Sequence, residues 1–178
     1  MTKRVLFAAV AACALALAGW NCVTAHRPVS ERLAQDARNE KVSVWAYHQY
    51  GVMPSVLVID LRRVEADAAA VDVLRALFQS AQSHRSRRFD KVVLAHAGAP
   101  KFQLDGAFYA QLGKEFGEQN PVYTIRTFPQ NVRKLDGTPA YETWTGGMLG
   151  VLGKQMQDVN QFARDWFVAD LATQGDAR

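Results

Sequence analysis

Two uninterrupted apolar runs, SVLVIDL (55–61) and KVVLAHA (91–97), constrain this chain more than any other feature. Each has the length of a strand and neither alternates apolar with polar, so each predicts a strand buried on both faces. Between them, ADAAAVDVLRALFQSAQ (66–82) sets Val71, Leu74, Phe78 and Ala81 on one stripe, the pattern of an amphipathic helix. Strand, helix and strand together predict a crossover joining two parallel neighbours, in the right-handed sense that such units take.

The rest of the chain extends this unit. VSVWAYHQY (42–50) is β-branched and aromatic and reads as a strand, broken by Gly51 and Pro54. AGAPKFQLDG (97–106) turns through Gly98 and Pro100 into a short edge strand. Its Asp105 is placed to cap the helix GAFYAQLGKEFGE (106–118). Asn120-Pro121 ends that element, and VYTIRTF (122–128) reads as a further strand. PQNVRKLDGTPAYET (129–143) is loop, with a turn at Asp136-Gly137. From about 147 to 172, Leu149, Leu152, Met156, Val159, Phe162 and Trp166 recur at helical steps and predict a long amphipathic helix. The expected fold is a single α/β domain over 41–172, a mixed, mainly parallel sheet flanked by helices. A polar linker (21–40), with room for a short helix from Ser30, precedes it and a polar tail (173–178) follows.

Residues 1–20 read as a signal peptide or membrane anchor. Lys3 and Arg4 precede sixteen uncharged residues, VLFAAVAACALALAGW, a positive start followed by an apolar stretch. Cleavage sites are offered after Ala18 and, later, after Ala25. Retained as an anchor, the sixteen residues reach about 24 Å of a ~30 Å hydrocarbon core, with Trp20 suited to the interface. In a third reading VAAC (10–13) is a lipoprotein box with Cys13 acylated. All three carry the following chain out of the cytoplasm, so the protein is expected to be exported and periplasmic or anchored. Cys13 and Cys22 are the only cysteines, which leaves the domain with neither a disulfide frame nor a thiol nucleophile.

The glycines of WTGGMLGVLGKQ (144–155) resemble a phosphate loop only superficially. Met148 stands where a Walker A loop has its first glycine, and Gln155 where it has a hydroxyl residue. Gly147, Gly150 and Gly153 share one strip of a helix and predict close packing against a neighbour. Thr145 is a suitable N-cap, and the amides of Gly146 and Gly147 are the alternative, an anion site. At strand ends, Asp60, His96 and Arg126 are the chemical candidates: Asp60 and His96 for catalysis, Arg126 for an anionic ligand. Histidine spacing offers no metal site, and no cofactor motif occurs.

The net charge is +4, but without Lys3 and Arg4 it falls to 19 Lys and Arg against 17 Asp and Glu, or +2. That is too little to argue for nucleic acid. The one basic cluster, SHRSRRFDK (83–91), reads as a solvated loop, with anionic lipid headgroups as a partner if the domain lies near a membrane. The expected function is a non-catalytic binding or assembly module of the envelope, its partner an envelope protein or a small anionic ligand. The alternative is an envelope hydrolase acting on an anionic substrate at the strand-end site.

Overall fold

The computed structural model describes residues 3–65, 67–145 and 148–176. Its centre is a five-stranded open sheet of β1 (Val42–Gln49), β2 (Met53–Val64), β3 (Lys91–His96), β4 (Ala99–Asp105) and β5 (Val132–Arg133), ordered in space as in the chain. The apolar runs 55–61 and 91–97 pair in parallel within β2 and β3, joined across α3 (Ala70–Ser83). The sheet is mixed, as expected, but its parallel share is confined to that pair.

The reason lies in two turns. Tyr50-Gly51 and Ala97-Gly98 all have positive φ, between 50° and 86°. Two consecutive left-handed residues make the tight hairpin turn whose twist matches antiparallel neighbours. β1–β2 and β3–β4 are therefore hairpins.

Period-two alternation divides the sheet residues between two environments. Val44 and Ala46 of β1, Leu57, Ile59 and Leu61 of β2, Val92 and Leu94 of β3, and Phe102 and Leu104 of β4 face a core completed by helices. On the opposite face Val56, Val58, Val93 and Ala95 form a small separate cluster with Tyr47, and among the described residues no helix joins it. The protein is thus two layers, helices on one side.

Residues 21–40 are not a linker. Helix α1 (Lys3–Asn21) passes through a π-helical segment, Cys22–His26, into α2 (Arg27–Ala34) with helical backbone throughout. Ala25, Val29 and Leu33, spaced by four, belong to the main core at 0, 0 and 8% exposure. Burying a side chain such as Val29 or Leu33 is worth about 1.5–3 kcal/mol. Three apolar residues among so many polar ones make a weak periodic signal, yet they dock the segment.

VYTIRTF is the second correction. Pro121–Thr127 is a helix, α5, and not a strand. Asn120 accepts from the Val122 amide at 3.0 Å, and Pro121 occupies the first helical position. The dipeptide read as a stop is a helix start, since Asn caps the first turn and proline has no amide to lose there. β-branched composition was outweighed by that cap and by packing of α5 on α6 (Met148–Ala163).

Two smaller expectations hold. Asp105 caps α4 (Gly106–Glu115) by accepting from the amides of Ala107 and Phe108 at 2.8 and 3.2 Å. At Asp136-Gly137 the Thr138 amide donates to Asp136, and Gly137 has φ 90°.

The C-terminal helix is long, as its periodicity predicts, but only its second half closes the core. Val159 and Phe162 are buried, whereas Leu152 and Met156 are each 37% exposed. After Ala163 a π-helical segment, Arg164–Val168, precedes α7 (Ala169–Asp176). The wider turn resets the register, so the adjacent Trp166 and Phe167 are both buried. Phe162 stands 5.1 Å from Phe128 and 5.3 Å from Trp166, ring to ring.

Close packing does not account for Gly150 and Gly153, because a Cβ added at either meets nothing within 4 Å. Gly147 lies outside the described residues. Each of the two described glycines then only loosens the helix, at ~1 kcal/mol relative to alanine. Gly150→Ala and Gly153→Ala are each expected to raise stability by about 0.5–1 kcal/mol, read as a higher denaturant midpoint. A fall in the midpoint would restore a packing role.

Candidate functional site

Asp60 and His96 do not meet. Asp60 pairs with Ala95 and Leu61 with His96, so the carboxylate lies on the helix-free face and the imidazole on the core face. The sheet stands between them. Asp60 is fully buried and its oxygens are engaged. The Tyr47 hydroxyl donates to Oδ2 at 3.2 Å, the Gly98 amide donates to Oδ1 at 3.0 Å, and an Arg62 guanidinium nitrogen lies 2.8 Å from Oδ2. Burial, and then the Asp60 charge, push the Tyr47 phenol up. This carboxylate ties β1, β2 and the β3–β4 turn together, an ion-pair role with Arg62.

His96 is 3% exposed. Its Nδ1 lies 2.7 Å from Asp170, which also receives a bond from Lys101 at 2.9 Å. These two bonds hold the Asp170 carboxyl below its ordinary value. The Trp166 indole donates to the Ala95 carbonyl at 3.1 Å on the same side. Together they fasten the C-terminal helix to β3 and β4. A histidine backed by a carboxylate is half of a general-base arrangement, but here the imidazole is enclosed by the element it fastens.

Arg126 joins neither residue. On α5 it donates to Gln155 of α6 at 3.2 Å, and its guanidinium lies 5.0 Å from the centre of the Tyr123 ring. Gly146 and Gly147 lie outside the described residues. Cys13 and Cys22 are exposed. Among the described residues no group of three His, Cys, Asp or Glu is arranged to hold a metal.

What sequence reasoning missed is the junction where α1 enters the domain. Trp20 stacks on His48 at 4.5 Å between ring centres. Asn21 donates to the Gly51 carbonyl at 2.7 Å and accepts from the His48 amide at 2.8 Å. The Thr24 hydroxyl lies 3.1 Å from His48 Nε2. His84, 1% exposed, stands nearby with Nδ1 close to the Ser83 hydroxyl and the Ser80 carbonyl, its Nε2 unpartnered. Burial takes the His84 imidazole down to about 4, helped by Arg87, and lowers His48 for the same two reasons. The sequence signal was the tryptophan closing the apolar run, since a purely disposable leader needs no aromatic partner in the domain.

Two hollows adjoin this junction. One of about 220 Å³ is lined by Trp20, Thr24, His48, Pro54, Arg87, Arg88 and Phe89. The other, about 630 Å³, shares Arg87, Arg88 and Phe89 and adds Arg85 and Lys114. Comparison of the chain with family models, with curated proteins and with solved structures found no match.

Proposed function

We propose that this protein is exported, stays anchored by α1, and acts as a non-catalytic binding or assembly module at the outer face of the membrane. One observation carries the reading: the apolar helix is built into the domain. α1 spans 19 residues, and its uncharged run from Val5 to Trp20 supplies about 24 Å at ~1.5 Å per residue toward a ~30 Å hydrocarbon core. From Lys3 to Gly19 every residue is exposed, so the domain leaves that apolar surface open to a bilayer and covers the helix only at Trp20 and Asn21. Lys3 and Arg4 at one end favour retention of that end on the cytoplasmic side.

Cleavage after Ala25 would remove Trp20, Asn21 and Thr24, which hold the β1–β2 hairpin, at a residue that is itself fully buried. A protease that needs extended backbone has no such segment at this site, where the helix is unbroken. Cleavage after Ala18 would spare the contacts but leave the junction's first turn without its continuation. The hydrolase alternative draws no support from the divided positions of Asp60, His96 and Arg126.

The test is the intact mass and alkaline extraction of the mature protein. We expect a mass that includes α1 and retention in the membrane pellet at high pH, with the domain open to protease from the outer side. A soluble product starting after residue 18, or a diacylglyceryl adduct on Cys13, would overturn the anchor.

A further inference from the structure

Resting on the anchor reading, we propose that the surface around the exit of α1 docks on anionic phospholipid of the same bilayer, the β1–β2 hairpin tip entering the interface and Arg85, Arg87, Arg88 and Lys114 receiving lipid phosphates.

Three observations converge. First, the anchor enters the domain without a flexible joint, so whatever surrounds Trp20 and Asn21 is held at headgroup level. Second, the hairpin tip beside Asn21 exposes apolar and aromatic side chains: Tyr50 at 80%, Val52 at 54% and Met53 at 39%. A hairpin tip in water is ordinarily polar, whereas aromatic and aliphatic groups at a membrane surface bury their apolar bodies among headgroups. Third, Arg85, Arg87 and Arg88 are exposed, and among the described residues none is in an ion pair. With Lys114 they line the 630 Å³ hollow, to which no carboxylate contributes. Arg87 and Arg88 also line the smaller hollow with Trp20, so the cationic surface begins where the helix leaves the bilayer. Guanidinium groups suit phosphate because their planar fork pairs with two oxygens.

The surface is specific in chemistry to a bilayer, because the apolar tip and the hollow lined by Arg87 and Arg88 both adjoin the end of α1. A soluble anion alone would have no use for Tyr50 and Val52.

The test uses the full chain with Cys13→Ser, Cys22→Ser and Val52→Cys, labelled at residue 52 with an environment-sensitive fluorophore. It is reconstituted in nanodiscs of phosphatidylcholine, alone or mixed with phosphatidylglycerol. In mixed discs the label is expected to be quenched by lipid-borne nitroxide and shielded from aqueous iodide. Arg87→Gln and Arg88→Gln, both at exposed positions, should each weaken that shielding by about fivefold. Equal access of iodide in both disc types, with the chain still resistant to alkaline extraction, would overturn the docking and leave the anchor standing. Recovery of the chain outside the discs would overturn both. If inorganic phosphate stabilises the chain in neutral discs as much as phosphatidylglycerol does, the hollow serves a small soluble anion and the lipid assignment is wrong.

Discussion

Gly113→Ala is expected to abolish stable folding, or at the least to cost about 3 kcal/mol or more. Gly113 sits in α4 where that helix crosses α3, and a Cβ built on it falls 2.2 Å from the Ala81 carbonyl oxygen and 2.5 Å from its carbon. Both obstacles are backbone, so no rotamer change relieves them. The helices must separate, and separating them exposes Leu77, Phe78, Tyr109 and Leu112, each buried at their interface or beside it. Overpacked cores lose ~1–3 kcal/mol when side chains can give way, and more when they cannot. Gly106, with Phe89 O at 1.8 Å from its added Cβ, should behave alike. The check is denaturant unfolding followed by circular dichroism, beside the two α6 glycine variants. Wild-type stability in Gly113→Ala would mean that α3 and α4 do not approach this closely.

The contrast between those glycines shows what was legible. Three glycines at regular spacing looked like the close-packing signal, and two single glycines in GAFYAQLGKEF did not. Helix approach depends on which face meets a neighbour, and that is set by the hairpins and the crossover, not by glycine frequency. The β2–α3–β3 crossover was readable because long apolar runs have few other places to go. α5 was misread because its β-branched residues favoured a strand, while the Asn120-Pro121 cap counted locally for more.

Asp60, His96 and Arg126 stay apart for a related reason. Asp60 and His96 are at paired strand positions only one residue out of step, and one residue in a strand is the difference between the two faces of a sheet. No reading of strand ends fixes that register in advance. The junction at Trp20, by contrast, depends on a π-helical segment at Cys22–His26, and no composition rule announces one. Its extra residue per turn lets Trp20, Asn21 and Thr24 all reach the β1–β2 hairpin. The segment read as a linker is therefore the one that joins α1 to the domain.

That junction should also be the acid-sensitive part of the molecule. His84 carries a native pKa of about 4, chiefly because burial disfavours its charged form, against ~6.5 when unfolded. Well above pH 7 the residue is neutral in both states and contributes no pH dependence. As pH falls through 6.5 the unfolded chain takes up a proton that the native state refuses, so stability falls until the native imidazole also protonates near pH 4. The loss amounts to about 3 kcal/mol over that window. His48, shifted in the same direction by burial and by Arg87, adds to it. The native carboxylates Asp36, Asp72 and Asp170, all lowered, work in a separate window: their contribution is present above the ordinary carboxylate range and fades below it. Denaturant midpoints between pH 7 and 4.5 therefore isolate the histidines. His84→Gln is expected to start lower at neutral pH, having lost a fitted ring against Phe89, but to decline much less steeply on acidification. Amide exchange at Thr24 and Ala25 should quicken first in the wild type, because opening this segment releases His84 to take up the proton that burial denies it. An unchanged slope in His84→Gln would show that the buried imidazole is not the titrating group, and the joint would then owe its acid response, if any, to His48.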